Sequence, residues 1–122
     1  MRTFILSLAL VFALMVTTQQ TAVISKQVQQ YFGVANDWKD YEGSEDGIYV
    51  DVTFPETIQF TNPPFVSTHL TCSTHCWMTE GATSVYNLTN TGFRVYIRQD
   101  GINAARAQTM QWKLNFKLES MD

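Results

Sequence analysis

The stretch from Met110 to Glu119 constrains the fold more than any other part of the chain. Met110, Trp112, Leu114, Phe116 and Leu118 fall on one side of a period-two alternation; Gln111, Lys113, Asn115, Lys117 and Glu119 fall on the other. Successive side chains of a strand point to opposite faces, so the pattern describes a strand with one buried and one wet face, as in an antiparallel sheet. The same alternation recurs upstream. Ile48, Val50, Val52 and Phe54 oppose Tyr49, Asp51 and Thr53, and Pro55 closes that strand. Phe93, Val95 and Ile97 oppose Arg94, Tyr96 and Arg98.

Between these runs lie Ile58 and Phe60, then Asn62-Pro63-Pro64 as a rigid turn into a strand from Phe65 to Thr71. Thr83, Val85 and Tyr86 read as a further strand, and Asn90-Thr91-Gly92 and Asp100-Gly101 as turns. Short strands joined by turns with no helices between them predict an all-β fold, an antiparallel β-sandwich of about six strands.

The region ahead of the sandwich reads differently. Ile24, Val28, Tyr31 and Phe32 follow helical spacing, and Gly33 supplies a stop, so a short N-terminal helix is expected. Too short to be stable alone in water, it must dock or self-associate. Asp37, Asp40, Glu42, Glu45 and Asp46 follow, against Lys39 alone. Their spacing does not fit an EF-hand loop, and a solvated acidic linker is expected rather than a metal site.

At the N-terminus, Arg2 precedes an apolar run from Phe4 to Val16 broken only by Ser7. This is the pattern of a secretory signal and is short for a membrane anchor. The expected organisation is a signal over residues 1–20, the helix and acidic linker over 21–46, and the sandwich over 47–122. About 100 residues remain after the signal, enough for one compact core. The formal charge of −3 gives no electrostatic footprint for nucleic acid. The protein is expected to be secreted and extracellular, with no membrane insertion and no cofactor.

Export shapes the reading of the two cysteines, Cys72 and Cys76. A disulfide is their default fate in an oxidising compartment. Bridged Cα atoms lie within about 7 Å, whereas four residues of extended strand span about 13 Å, so the bridge predicts a tight turn. Free or intermolecular thiols are one alternative. The other is zinc, since His69, Cys72, His75 and Cys76 make up a tetrahedral donor set, although their spacing is compressed. Trp77 follows directly. It either packs over the end of the sandwich or stacks on the apolar face of a sugar. Asn87-Leu88-Thr89 is an N-glycosylation acceptor, open to use in a secreted chain.

Phe54, then Phe60 before Pro63-Pro64-Phe65-Val66, then Val85-Tyr86-Asn87-Leu88-Thr89, Thr91-Gly92-Phe93 and finally Trp112 run in an order that resembles the H-type lectin domain. This is the sugar-binding module of snail agglutinins and of the C-terminal part of discoidins. The resemblance covers about residues 48 to 118. It implies a six-stranded antiparallel sandwich that assembles as a homotrimer and binds N-acetylgalactosamine-type sugars in grooves between neighbouring subunits. It also implies where ligand residues stand. Asp100, followed by Gly101, occupies a position where the family places an aromatic residue. Arg106 lies near the place of a second aromatic, and Glu80 matches the position of an Arg.

Arg98, Asp100, Asn103 and Arg106 supply the donors and acceptors that sugar hydroxyls need. With Glu80, Gly101 and Trp77 they form the candidate carbohydrate-binding set. No Gly-x-Ser-x-Gly elbow, His-Glu-x-x-His helix or phosphate-cradling glycine loop occurs, and no enzymatic activity is expected. The leading expectation is a secreted lectin whose partners are glycans or glycoproteins. The alternative is a secreted structural or cell-adhesion module that kept the sandwich without a sugar site.

Overall fold

The computed structural model describes residues 29–121. The expected export signal and the first part of the expected N-terminal helix lie outside them. Six strands and one helix follow in chain order: β1 (Gln30–Ala35), β2 (Lys39–Asp40), β3 (Gly47–Thr53), β4 (Phe65–Thr71), β5 (Gly92–Arg98), α1 (Ala104–Thr109) and β6 (Lys113–Glu119). They form two three-stranded sheets, ordered β1-β6-β4 and β2-β3-β5, and every pairing is antiparallel. The sheets pack together as a sandwich.

The alternating runs sort as their pattern requires. Ile48, Val50 and Val52 of β3, Phe93, Val95 and Ile97 of β5, and Leu114, Phe116 and Leu118 of β6 are buried in one core cluster. Phe93 of one sheet meets Phe116 of the other edge-on, with ring centroids 5.5 Å apart. Phe54 extends the aromatic contact to Phe60 at 5.7 Å and to Phe93 at 6.0 Å. Among the described residues Thr68 is the one buried polar residue, and its hydroxyl donates to the Ala82 carbonyl.

The expected N-terminal helix is corrected over its described part. Residues 30–35 are a strand, paired residue for residue with β6 from Gln30↔Glu119 to Ala35↔Leu114. Tyr31, Gly33 and Ala35 alternate inward, while Phe32 and Val34 point out. A helix this short is marginal in water, whereas pairing with β6 satisfies a full ladder and suits Tyr, Phe and Val. The acidic segment is likewise no free linker. Lys39 and Asp40 pair with β3, Asp46 Oδ1 accepts from the Gly101 amide at 2.8 Å, and Asp40 Oδ1 accepts from the Ala104 amide at 2.7 Å.

The helix among the described residues lies near the C-terminus. The Asn103 side chain accepts from the Arg106 amide at 2.8 Å as an N-cap. The following Ala104-Ala105-Arg106-Ala107-Gln108 are strong helix formers. The last strand therefore begins at Lys113 rather than Met110, after Gln111 turns the chain with φ of 57°. Met110 and Trp112 stay buried, as the alternation requires.

The expected strand around Thr83 to Tyr86 is also corrected. Glu80 and Tyr86 each make a single bridge to β5, opposite Arg98 and Arg94. Between them the chain bows away in a turn closed by Ser84 N to Gly81 O at 3.0 Å. Gly81 has φ of 97°, and a Cβ there would strike the Tyr96 carbonyl, so the turn needs glycine. The bow lets Ala82 reach Thr68 of the other sheet and covers the free edge of β5.

Gly33 is required for a different reason. A Cβ there would enter the Phe116 ring, which is itself held against Phe93 and Tyr31. Gly33→Ala is expected to destabilise the fold by about 1–3 kcal/mol through overpacking. Urea unfolding monitored by circular dichroism measures it; an unchanged midpoint would show that Phe116 moves aside freely.

Candidate functional site

The register of β3 against β5 builds a polar and aromatic surface on the outer face of their sheet. It places Tyr49 directly opposite Tyr96 and Asp51 directly opposite Arg94. The Arg94 guanidinium forms a fork on the Asp51 carboxylate, with Nε to Oδ1 at 2.6 Å and Nη2 to Oδ2 at 2.8 Å. Its Nη1 donates to the Tyr96 hydroxyl at 3.1 Å. The same guanidinium lies 4.2 Å from the centroid of the Tyr49 ring and 5.6 Å from that of Tyr96. A planar, delocalised cation suits this double use, bonding in its plane and stacking on its faces.

Two further tyrosines arrive from loops. Tyr86, at the bridge to Arg94, meets Tyr96 edge-on at 5.1 Å. Tyr41, from the turn after β2, meets the same ring edge-on at 5.7 Å. Tyr41, Tyr86 and Tyr96 line a groove of about 320 Å³, together with Ser44, Asp46 and Arg98. Tyr41 and Tyr86 remain about half exposed, at 45% and 49%.

Arg98 also lines a second depression, of about 380 Å³, with His75, Met78, Glu80, Gln99 and Asp100. Its backbone bridge to Glu80 (N to O at 2.9 and 3.0 Å) holds the two depressions side by side. Cys72 and Cys76 are joined by a disulfide, with Cα atoms 6.1 Å apart, across the loop that carries His75. The tight turn expected for the bridge is present, and His75 within it adopts the left-handed conformation, φ 64°. Both sulfurs bond each other and are not available as thiolate ligands. Among the described residues no group of three or more His, Cys, Asp and Glu side chains is arranged to hold a metal ion.

The candidate residues from the sequence thus separate into four places. Glu80, Arg98 and Asp100 come together in the second depression. Gly101 and Asn103 line a different hollow, formed with the acidic loop from Asp40 to Gly47. Arg106 is turned to structural use, its Nη1 donating to the Gly101 carbonyl at 2.7 Å. Asn103 is occupied as the cap of α1. Trp77 follows the disulfide loop and does not pack over the end of the sandwich, since it is 82% exposed. Asn87 stands in a loop of exposed residues, next to Tyr86.

Sequence reasoning missed the tyrosine cluster. Its signal was present in part, because Tyr49, Asp51, Arg94 and Tyr96 all fall on the wet faces of their strands. Tyr41 and Tyr86 join only through the fold. No protein-family model matches the chain, and no curated protein matches it.

The hydrogen bonds from Arg94 hold the Asp51 carboxyl below its ordinary range, outweighing a small opposing effect of burial. A carboxylate with a lowered folded pKa stabilises the fold above its unfolded pKa and loses that contribution as pH falls through the folded value. The Asp51–Arg94 pair is therefore expected to persist from neutral pH down past the unperturbed 3.8 and to fail only in stronger acid. Acid unfolding of the wild type and of Asp51→Asn checks this. The variant should lose stability at neutral pH and differ least from wild type at the lowest pH; equal stability across the whole range would remove the pair from the account.

Proposed function

We propose that this is a secreted carbohydrate-binding protein that holds glycans on the outer face of the β2-β3-β5 sheet. One observation carries the reading: a tyrosine-lined groove shares Arg98 with a polar depression containing Glu80 and Asp100. Sugars present apolar C–H faces to aromatic rings and hydroxyls to charged, oriented side chains. Both kinds of partner adjoin here, and the rings are held by mutual packing before any ligand arrives. N-acetylgalactosamine-type sugars are the class that the likeness to H-type lectins implies, and they are the first to test.

Glycan-array screening of the mature protein should show binding. Tyr86→Ala should weaken it about tenfold, equivalent to about 1.4 kcal/mol of lost stacking. Tyr86 lies outside the core and is about half exposed, and its bridge to Arg94 is made by backbone alone, so the variant should remain folded. No glycan bound at high valency would sink the lectin reading in favour of the structural or adhesive module. One observation favours that second reading: Arg94, the cation stacked on Tyr49 in this face, is already held by Asp51.

Assembly as a homotrimer belongs to the same proposal. Phe32, Val34 and Phe65 are exposed on the outer face of the β1-β6-β4 sheet, Phe32 at 70%. Phe32 and Val34 lie on the edge strand β1 opposite Lys117 and Asn115, and Phe65 on the other edge strand, β4, opposite Glu119. Exposed apolar side chains grouped on one sheet face suit burial against another subunit. Sedimentation equilibrium should give the mass of three chains, shifting toward monomer in Phe32→Ser. A monomeric wild type would remove the intersubunit groove implied by the resemblance while leaving the tyrosine groove intact.

A further inference from the structure

We propose that Asn87 carries an N-linked glycan in the exported protein, and that this glycan shades Tyr86 at the rim of the tyrosine groove. The inference rests on the secretion reading above. It joins a sequence motif to a placement that the sequence does not reveal.

Asn87-Leu88-Thr89 has the acceptor spacing, with a residue other than proline in the middle. The whole loop from Asn87 to Thr91 is exposed. The Asn87 side chain makes no hydrogen bond among the described residues. The residue adopts the left-handed conformation, φ 55°, which turns the chain directly after the Tyr86–Arg94 bridge. Asparagine tolerates that conformation better than most residues, so the turn by itself accounts for an Asn here. What the turn alone does not account for is the surface beside it. Tyr86 and Leu88, on either side of Asn87, are both exposed apolar side chains.

Tyr86 cannot withdraw from this surface. Its amide donates to the Arg94 carbonyl at 2.7 Å and its carbonyl accepts from the Arg94 amide at 2.8 Å. The Asn87 and Tyr86 Cα atoms are neighbours, about 3.8 Å apart, so a sugar on Nδ2 would be rooted one residue from Tyr86. Its apolar face could cover the exposed part of Tyr86, the same kind of contact proposed for a bound glycan. A tethered sugar acts at high effective concentration and competes with a free one. The modification would therefore regulate access to the groove as well as cover the loop.

The test uses the full chain expressed in a glycosylating, secreting cell. Protein from the medium should lose mass on treatment with peptide N-glycosidase, with Asn87 converted to Asp in the mapped peptide. Asn87→Gln should abolish the mass loss. Thr89→Ala should do the same while keeping the asparagine that the turn prefers. Nitration of Tyr86, mapped by peptide mass, should be several-fold slower in the glycosylated protein than after enzymatic trimming, with Tyr31 on the opposite sheet unchanged as the internal control. Exported protein with no glycan at Asn87 would overturn the modification. Equal Tyr86 nitration before and after trimming would overturn the shading. Retention in the cytosol with an intact N-terminus would overturn the secretion reading itself, and neither of the other failures produces that result.

Discussion

Trp112 is the residue on which the rest of the structure converges. Its side chain is fully buried, and its indole N–H donates to the Thr74 carbonyl at 3.2 Å. Its own carbonyl accepts from the Trp38 indole at 2.9 Å, and its amide donates to the Ala107 carbonyl at 2.9 Å. One residue thereby fastens the disulfide loop, the end of α1, the start of β6 and the connection from β1 to β2. Ser73 adds to the same junction, donating its amide and hydroxyl to the Met110 carbonyl at 2.9 and 2.8 Å. A disulfide closing so short a loop removes little chain entropy. Its effect is local, and the placement of that loop on the sandwich comes from Trp112 and Ser73.

The candidate face inherits its geometry from the core in a similar way. A strand slipped by one residue exchanges its two faces. In β3 and β5 a slip would expose Ile48, Val50, Val95 and Ile97, all nearly inaccessible to solvent in the native register. Burial of these side chains therefore holds the register, and the register puts Asp51 opposite Arg94 and Tyr49 opposite Tyr96. The ion pair and the stacked rings contribute orientation to a surface already determined by apolar packing on the other side of the same strands. Tyr41 and Tyr86 then close around Tyr96 because their backbones are pinned to Gly47 and Arg94.

This division explains what could be read in the amino-acid sequence. The faces of β3, β5 and β6 were legible because period-two alternation reports burial directly, and the disulfide because two nearby cysteines leave few alternatives. The strand β1 was not. Tyr31 and Phe32 continue the helical spacing of Ile24 and Val28, and only pairing with β6 selects the extended form. The helix α1 was legible in principle from Asn103 followed by an alanine-rich run. Asn103 and Arg106 entered the candidate set as polar side chains near the groove that the resemblance implies; in the fold Asn103 Oδ1 caps the helix and Arg106 Nη1 clasps the Gly101 carbonyl. The tyrosine cluster lay beyond local reading because its members come from two strands and two loops.

Asn103 carries no charge, and Arg106, bonded to the Gly101 carbonyl, keeps its charge outside the two depressions. Arg94 is committed to Asp51 and Tyr96. That leaves Arg98 as the cation shared by the two depressions, with Asp46 lining one and Glu80 and Asp100 lining the other. An anionic group entering here would meet one guanidinium against three carboxylates, on a chain whose formal charge is already −3. A neutral sugar incurs no such repulsion. Its hydroxyls can donate to Glu80 and Asp100 and accept from Arg98, while its C–H face rests on Tyr86 or Tyr41. For the proposed glycan, the balance of charge therefore favours a neutral sugar over sialic or uronic acids, a restriction that follows from these side chains independently of any family likeness.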